Sequence, residues 1–144
     1  MILLVRHAKA GDRERWDAPD DHRPLTAKGE AQAQALVDLL AGYEIDRVLS
    51  SPYLRCTQTV APLAAARGLA VEPCDELAEG EGRAGIVLVR GLLTEPRYTV
   101  LCSHGDVVEE VLDALGVQRE QFTRKGATWV LEEAGAHHLA APTA

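Results

Sequence analysis

Two histidines and two arginines stand just beyond the ends of short apolar runs in this chain. Arg6-His7 follows Ile2-Leu3-Leu4-Val5, Ser103-His104-Gly105 follows the run at residues 98–102, and Arg55 comes after Arg47-Val48-Leu49 and Ser50-Ser51-Pro52. Runs of this kind read as buried strands, and the carboxyl edge of an open α/β sheet is where ligands bind. The chemistry such a set could serve is phosphoryl transfer. That reaction needs a nucleophile in line with the leaving group and positive donors around the equatorial oxygens, where the transition-state charge lies. A neutral imidazole can attack, while two guanidinium forks and a protonated imidazole supply the charge without a metal. Guanidinium charge nearby is expected to lower the pKa of His7 and keep its lone pair available near neutral pH. The residues alone leave open which imidazole takes which part.

These groups need a scaffold to bring them together. Residues 1–5 read as a fully buried strand, and residues 8–24, with Gly11, Pro19 and Pro24 and no apolar period, as a long surface loop. Thr26 is placed to cap a helix through Gly42, in which Ala33, Leu36, Val37 and Leu40 recur at helical spacing. A strand at 47–49 precedes a helix that begins with Pro52 in its first turn and runs toward Gly68, with Pro62 expected to kink or divide it. There follow a short strand at 69–72, an acidic irregular stretch at 73–82, a helix at 85–93, a strand at 98–102 and a helix at 106–115. A hairpin from 128–131 and 137–139 closes the chain. This alternation predicts a three-layer α/β/α fold, a mostly parallel sheet flanked by helices, in a single domain over residues 1–144.

Composition narrows the function classes. Hydrophobic content of 47% and charged content of 26% are ordinary for a globular chain of 144 residues. A net charge of −7, with no cluster of lysine and arginine, argues against nucleic-acid or anionic-membrane binding, although it allows a small basic pocket. Three cysteines, Cys56, Cys74 and Cys102, are odd in number and lie in or beside apolar segments, which fits reduced thiols in a cytoplasmic protein. The apolar run before Arg6 is too short for a signal peptide or a membrane span.

Taken together, Leu-Val-Arg6-His7-Ala, Ser51-Pro52-Tyr53-Leu54-Arg55-Cys56-Thr57-Gln58-Thr59 and Ser103-His104-Gly105 resemble, in order and spacing, the motifs of the histidine phosphatase superfamily. Ala8 stands where that family usually has glycine. With Asp21, Arg23-Pro24-Leu25-Thr26 and Gly29, it points toward the compact branch that includes phosphohistidine phosphatases. The resemblance implies a phosphoglycerate mutase-like fold. It implies His7 as a nucleophile forming a phosphohistidine, Arg6, Arg55 and His104 as the phosphate clamp, and no metal or organic cofactor. Leu77-Ala78-Glu79-Gly80 resembles the segment that carries the general acid in many members, so Glu79 is the candidate. Glu76 and Glu81 are neighbours able to replace it, and a merely solvated acidic loop is the alternative. An acid-free site would favour phosphohistidine, because imidazole, with a free pKa of about 6.5, leaves far more easily than an alcohol.

The implied substrate is a protein phosphohistidine or a small phosphomonoester or nucleotide, since related domains also occur fused to nucleotide-pyrophosphate hydrolases. A phosphomutase is disfavoured, because returning the phosphoryl group requires a lid that excludes water. From another class, a phospholigand-binding module without turnover would carry the same motifs. Oligomeric state is not legible.

Other patterns have simpler explanations. Gly80-Glu81-Gly82-Arg83-Ala84-Gly85 spells a dinucleotide-binding glycine pattern but follows an acidic stretch instead of a buried strand. No cysteine has an arginine six positions later, so the thiol-phosphatase loop is absent. His137 and His138 should point to opposite faces of a strand. Asp17, Asp20 and Asp21 read as a solvated loop, Trp16 and Trp129 as packing residues, and Lys9 and Lys125 as ordinary surface lysines.

Overall fold

Alternating side chains along the buried strands set the layering. The computed structural model describes residues 1–142. Its sheet contains β1 (Ile2–Arg6), β2 (Arg47–Ser50), β3 (Val71–Pro73), β4 (Thr99–Ser103), β5 (Thr128–Glu132) and β6 (Gly135–Leu139), in the spatial order β3-β2-β4-β1-β5-β6. The four strands β3, β2, β4 and β1 run parallel, and the β5–β6 hairpin adds antiparallel strands beside β1. In β1, Leu3 and Val5 pack with Leu36, Leu40, Val60 and Leu63 of α1 (Ala27–Leu39), its C-cap and α2 (Leu54–Ala66). Ile2 and Leu4 pack on the other face with Val89, Leu92, Val107 and Val111 of α3 (Gly82–Leu93) and α4 (Gly105–Ala114). The expected α/β/α sandwich, mostly parallel, is the fold observed.

Thr26 caps α1 as expected, its Oγ1 accepting from the Gly29 amide at 3.1 Å. Three local expectations need correction. Pro62 neither kinks α2 into two elements nor ends it, because Cys56, Val60, Leu63 and Ala64 form one continuous buried face that outweighs a single lost amide bond. Pro52 precedes α2, which starts at Leu54 with Tyr53 in the N-cap position and no side-chain capping bond. Helix α3 starts three residues before the expected position, at Gly82. The long loop after β1 is not featureless. It folds back through an Ala10–Leu25 bridge and contains short 3₁₀ turns at Arg13–Arg15 and Asp20–His22.

The connections carry the chain from β1 to β2 and β3 through α1 and α2 on one face, and return it through α3 to β4 on the other. β4 therefore inserts between β2 and β1. This reversal opens a crevice at the carboxyl ends of those three strands, the place where a parallel sheet binds ligands.

Candidate active site

The site is assembled by strand register. Arg6 and Ser103 are paired across β1 and β4, the His7 amide donates to the Ser103 carbonyl at 3.0 Å, and the Ser51 amide donates to the Cys102 carbonyl at 2.9 Å. The last residues of three neighbouring strands are thus locked edge to edge. His7 and His104 are both buried, their rings edge to face with centroids 5.5 Å apart. Gly105 is where the second histidine motif needs a glycine, since a Cβ there would lie 2.9 Å from the Arg6 guanidinium.

His7 Nδ1 lies 2.8 Å from the Ala8 carbonyl oxygen. With that carbonyl as acceptor, Nδ1 carries the proton and Nε2 the lone pair, on a ring that lines a cavity of about 550 Å³. The pKa of His7 is pushed down to about 3. Burial is the largest cause, opposed by the Ala8 carbonyl and reinforced by the charges of His104, Arg55 and Arg6. The expectation that guanidinium charge does this work is corrected to a lesser part. Ala8 is itself fully buried against Leu25 and Ala33, so its methyl group fills space that a glycine would leave empty.

Arg55 has no exposed surface. It donates from Nη1 to the Asp20 carbonyl at 2.9 Å and from Nη2 to Asp20 Oδ2 at 3.0 Å, and its guanidinium sits 4.9 Å from the Tyr53 ring centroid. His104 is enclosed by Ser51 Oγ at 2.8 Å and Cys56 Sγ at 3.5 Å from Nε2, by Arg55 Nη2 at 3.5 Å from Nδ1, and by the edge-on Tyr53 ring. Arg6 donates from Nη1 to the Thr123 carbonyl at 2.6 Å, and burial lowers its pKa against the opposing pull of Glu109 and Asp106. Among the described residues its Nε, like that of Arg55, is buried without a partner. The Arg6 Nε, unpaired in a residue that lines the cavity, suits an anion that arrives from outside.

Of the three acidic candidates, Glu79 lines the cavity. Its Oε1 accepts from Arg13 Nη2 at 2.9 Å and lies 3.6 Å from Arg55 Nη2. Glu76 is exposed and accepts from the Cys74 thiol at 3.0 Å, while Glu81 is the residue before α3. His7, Arg6, Arg55, His104 and Glu79 are therefore brought together, and Glu76 and Glu81 are not. His137 and His138 lie on β6, where His138 packs on Trp129. Among the described residues no three histidine, cysteine or carboxylate side chains are grouped as a metal site.

Asp20 departs from the solvated loop that the sequence suggests: its carboxylate joins Arg55 and the buried Arg23, whose Nε lies 2.9 Å away. Burial acts to raise the Asp20 pKa, but hydrogen bonds and charge from Arg23 and Arg55 outweigh it and hold the carboxyl below its usual range. Thr59 was also missed. Its Oγ1 donates to the Arg55 carbonyl at 2.6 Å and accepts from the Ala8 amide at 2.9 Å, tying the two halves of the site. The signal for Asp20 was its three-residue spacing from Arg23; for Thr59 there was only its place one helical turn after Arg55.

A parallel sheet with paired histidines and arginines at a reversal of strand order defines a class. The chain belongs to the histidine phosphatase superfamily, branch 1, whose pattern matches residues 2–84. It is 34% identical over 155 residues to an 8-oxo-(d)GTP phosphatase of Mycolicibacterium smegmatis, a match covering 98% of this chain and 48% of the relative. It is also 39% identical over 62 residues to the phosphohistidine phosphatase SixA of Escherichia coli, covering 42% of this chain and 37% of that one. The structure of the protein histidine phosphatase SixA complexed with tungstate superposes with a TM-score of 0.76 at 27% identity, covering 96% of this chain and 93% of that one. The chain spans about half the length of the mycobacterial relative it matches.

Proposed function

We propose that this chain is a phosphatase that hydrolyses its substrate through a covalent phosphohistidine on His7. The observation that carries the reading is the His7 ring, held by the Ala8 carbonyl at Nδ1 and free at Nε2 beside Arg6, Arg55 and His104. In the first step Nε2 attacks phosphorus and the bond to the leaving group breaks. Arg6, Arg55 and His104 hold the three equatorial oxygens, an electrostatic part in which each donor contributes on the order of a hundredfold or more. In the second step water takes the phosphoryl group, and the Nε2–P bond breaks to release phosphate. Glu79 serves in this reading as the general acid for the leaving group and then as the base for water, a role supported by its position on the cavity that His7 lines.

The substrate class is a protein phosphohistidine or a small phosphomonoester or nucleotide. The names of the relatives support both, SixA the first and the mycobacterial phosphatase the second. Three free thiols are compatible with a cytoplasmic setting, and among the described residues no helix is long and apolar enough to cross a membrane. Hydrolysis of p-nitrophenyl phosphate by the purified chain in EDTA tests the reading. Turnover that disappears in His7→Ala supports it. A chain that binds phosphate or vanadate without any turnover would instead be a phospholigand-binding module.

A further inference from the structure

The carboxylates around the cavity are engaged, but two of its cations are not. Asp12 caps the 3₁₀ turn through the Glu14 amide, Glu79 takes Arg13, and Asp106 accepts from the Gly80 amide at 2.8 Å. Lys9 and Lys125 line the same cavity as His7 and His104. Among the described residues neither ammonium group has a carboxylate within 4.0 Å or a hydrogen-bond acceptor. Both lysines are exposed, and both border the cavity beside like charge. These two share one crevice with Arg6, Arg13 and Arg23 in a chain of net charge −7.

Their backbones are fixed from either side of His7. The Lys9 carbonyl accepts from the Thr26 amide at 2.9 Å and its amide donates to Gln32 Oε1 at 3.0 Å, while Gly29 passes so close to that carbonyl that any side chain there would collide with it. The Gly126 amide, next to Lys125, is shared between the Arg6 and His7 carbonyls at 3.0 and 3.1 Å. The Lys125 pKa is lowered, first by burial and then by the positive charges of Arg6, Arg23, Lys9 and Arg13. An arriving anion relieves that repulsion, and more so if it carries more charge than one phosphoryl group. Flexible ammonium groups suit phosphate as point charges.

We propose that Lys9 and Lys125 form a second anion subsite beside the phosphate clamp, which makes the preferred substrate a phosphoanhydride of the nucleoside di- or triphosphate class. This rests on the phosphatase reading above and narrows its substrate. The terminal phosphoryl group sits at His7, and the next phosphate sits on the lysine pair. As the Nε2–P bond forms, the P–O bond to the bridging oxygen breaks, and that oxygen leaves with the shortened nucleotide. Water then attacks phosphorus, the Nε2–P bond breaks to return the lone pair to His7, and the water's proton ends on the released inorganic phosphate. The leaving phosphate is a weak base, with a second pKa of about 6 for a phosphoester, so the step makes little demand on a carboxyl group held by Arg13. A cavity of about 550 Å³ lies within the usual range for a small-molecule site, roughly 300–1,000 Å³.

Two measurements on the whole chain test this, with Lys9→Met and Lys125→Met made singly and together. Calorimetry should find inorganic pyrophosphate bound about tenfold or more tighter than phosphate, with most of that gap closed in the double variant, given about tenfold per charge-assisted contact. The ratio of kcat/KM for GTP to that for p-nitrophenyl phosphate should fall by about thirtyfold or more. An unchanged ratio, or no preference for pyrophosphate in the parent chain, overturns the subsite. So does an equal loss on a phosphohistidine protein, which would make the lysines a docking face for that partner. A parent chain that hydrolyses none of GTP, p-nitrophenyl phosphate and the phosphohistidine protein refutes the phosphatase reading, while the calorimetric gap still decides for or against the subsite.

Discussion

Replacing Asp20 removes the only carboxylate among the described residues that grips the buried Arg55 within hydrogen-bonding distance, and the structure sets the size of the effect. Asp20→Ala deletes two charge-assisted bonds, Arg55 Nη2 to Oδ2 at 3.0 Å and Arg23 Nε to Oδ1 at 2.9 Å, but leaves the backbone bond from Arg55 Nη1 to the Asp20 carbonyl. Each such bond is worth about 1.5–3 kcal/mol when dry. The Asp20 side chain is 34% exposed, so water replaces part of what is lost, and the net cost in stability is expected at about 1–2 kcal/mol. That corresponds to a fall in Tm of about 3–6 °C for a domain of this size. Losing an oxyanion donor outright costs about 10²–10³ in kcat. Arg55 is only loosened here, because the Asp20 carbonyl and the Tyr53 ring still hold it, so kcat/KM for p-nitrophenyl phosphate should fall about 10- to 30-fold. Asp20→Asn keeps an acceptor without the charge and should fall between the two. Since the folded pKa of Asp20 lies below its unfolded value, its contribution to stability is present above about pH 4 and is lost as pH falls through the lower folded value. Thermal melts and steady-state kinetics on the three proteins decide the matter. A fall in Tm with kcat/KM within twofold of the parent would refute the positioning role and leave Asp20 a loop staple.

Glu79→Gln should slow an alkyl phosphate by about a hundredfold or more and spare p-nitrophenyl phosphate and phosphohistidine; equal losses on good and poor leaving groups would assign Glu79 to binding. Thr123→Val deletes the hydroxyl that donates to Glu109 at 2.8 Å and accepts from Trp129 Nε1 at 2.9 Å, in the residue whose carbonyl holds Arg6. It should cost about 1–3 kcal/mol of stability and raise KM several-fold, whereas an unchanged KM would detach this network from Arg6. With a folded pKa of about 3 against about 6.5 unfolded, His7 remains neutral and nucleophilic well below pH 5. Because the unfolded chain binds the extra proton, His7 reduces stability progressively from about pH 6.5 down to about pH 3, and His7→Phe should flatten that part of the stability curve.

The parallel core and its ligand edge were legible because buried strands announce themselves as apolar runs and because Arg6-His7 and Ser103-His104 end two of them. Register then did what spacing could not, pairing Arg6 with Ser103 and setting the two imidazoles edge to face. The loop after β1 was opaque for the opposite reason. It has no apolar period, and its order comes from long-range polar contacts, such as Arg23 and Arg55 meeting at Asp20, that only the folded chain creates. Pro62 shows local preference losing to tertiary packing, since the buried face of α2 continues through it. The direction of the His7 shift was foreseen, but its main cause, burial, was not, because the sequence does not disclose that the ring is enclosed.

The central claim is that one imidazole nitrogen carries the phosphoryl group. The direct measurement is rapid quenching of the enzyme with labelled phosphosubstrate, followed by peptide mapping and phosphorus NMR of the trapped peptide. The account expects an acid-labile, base-stable phosphohistidine on His7 at Nε2, because the Ala8 carbonyl occupies Nδ1. Label on His104, on a cysteine, or on Nδ1 of His7, or label that persists in His7→Ala, would contradict it.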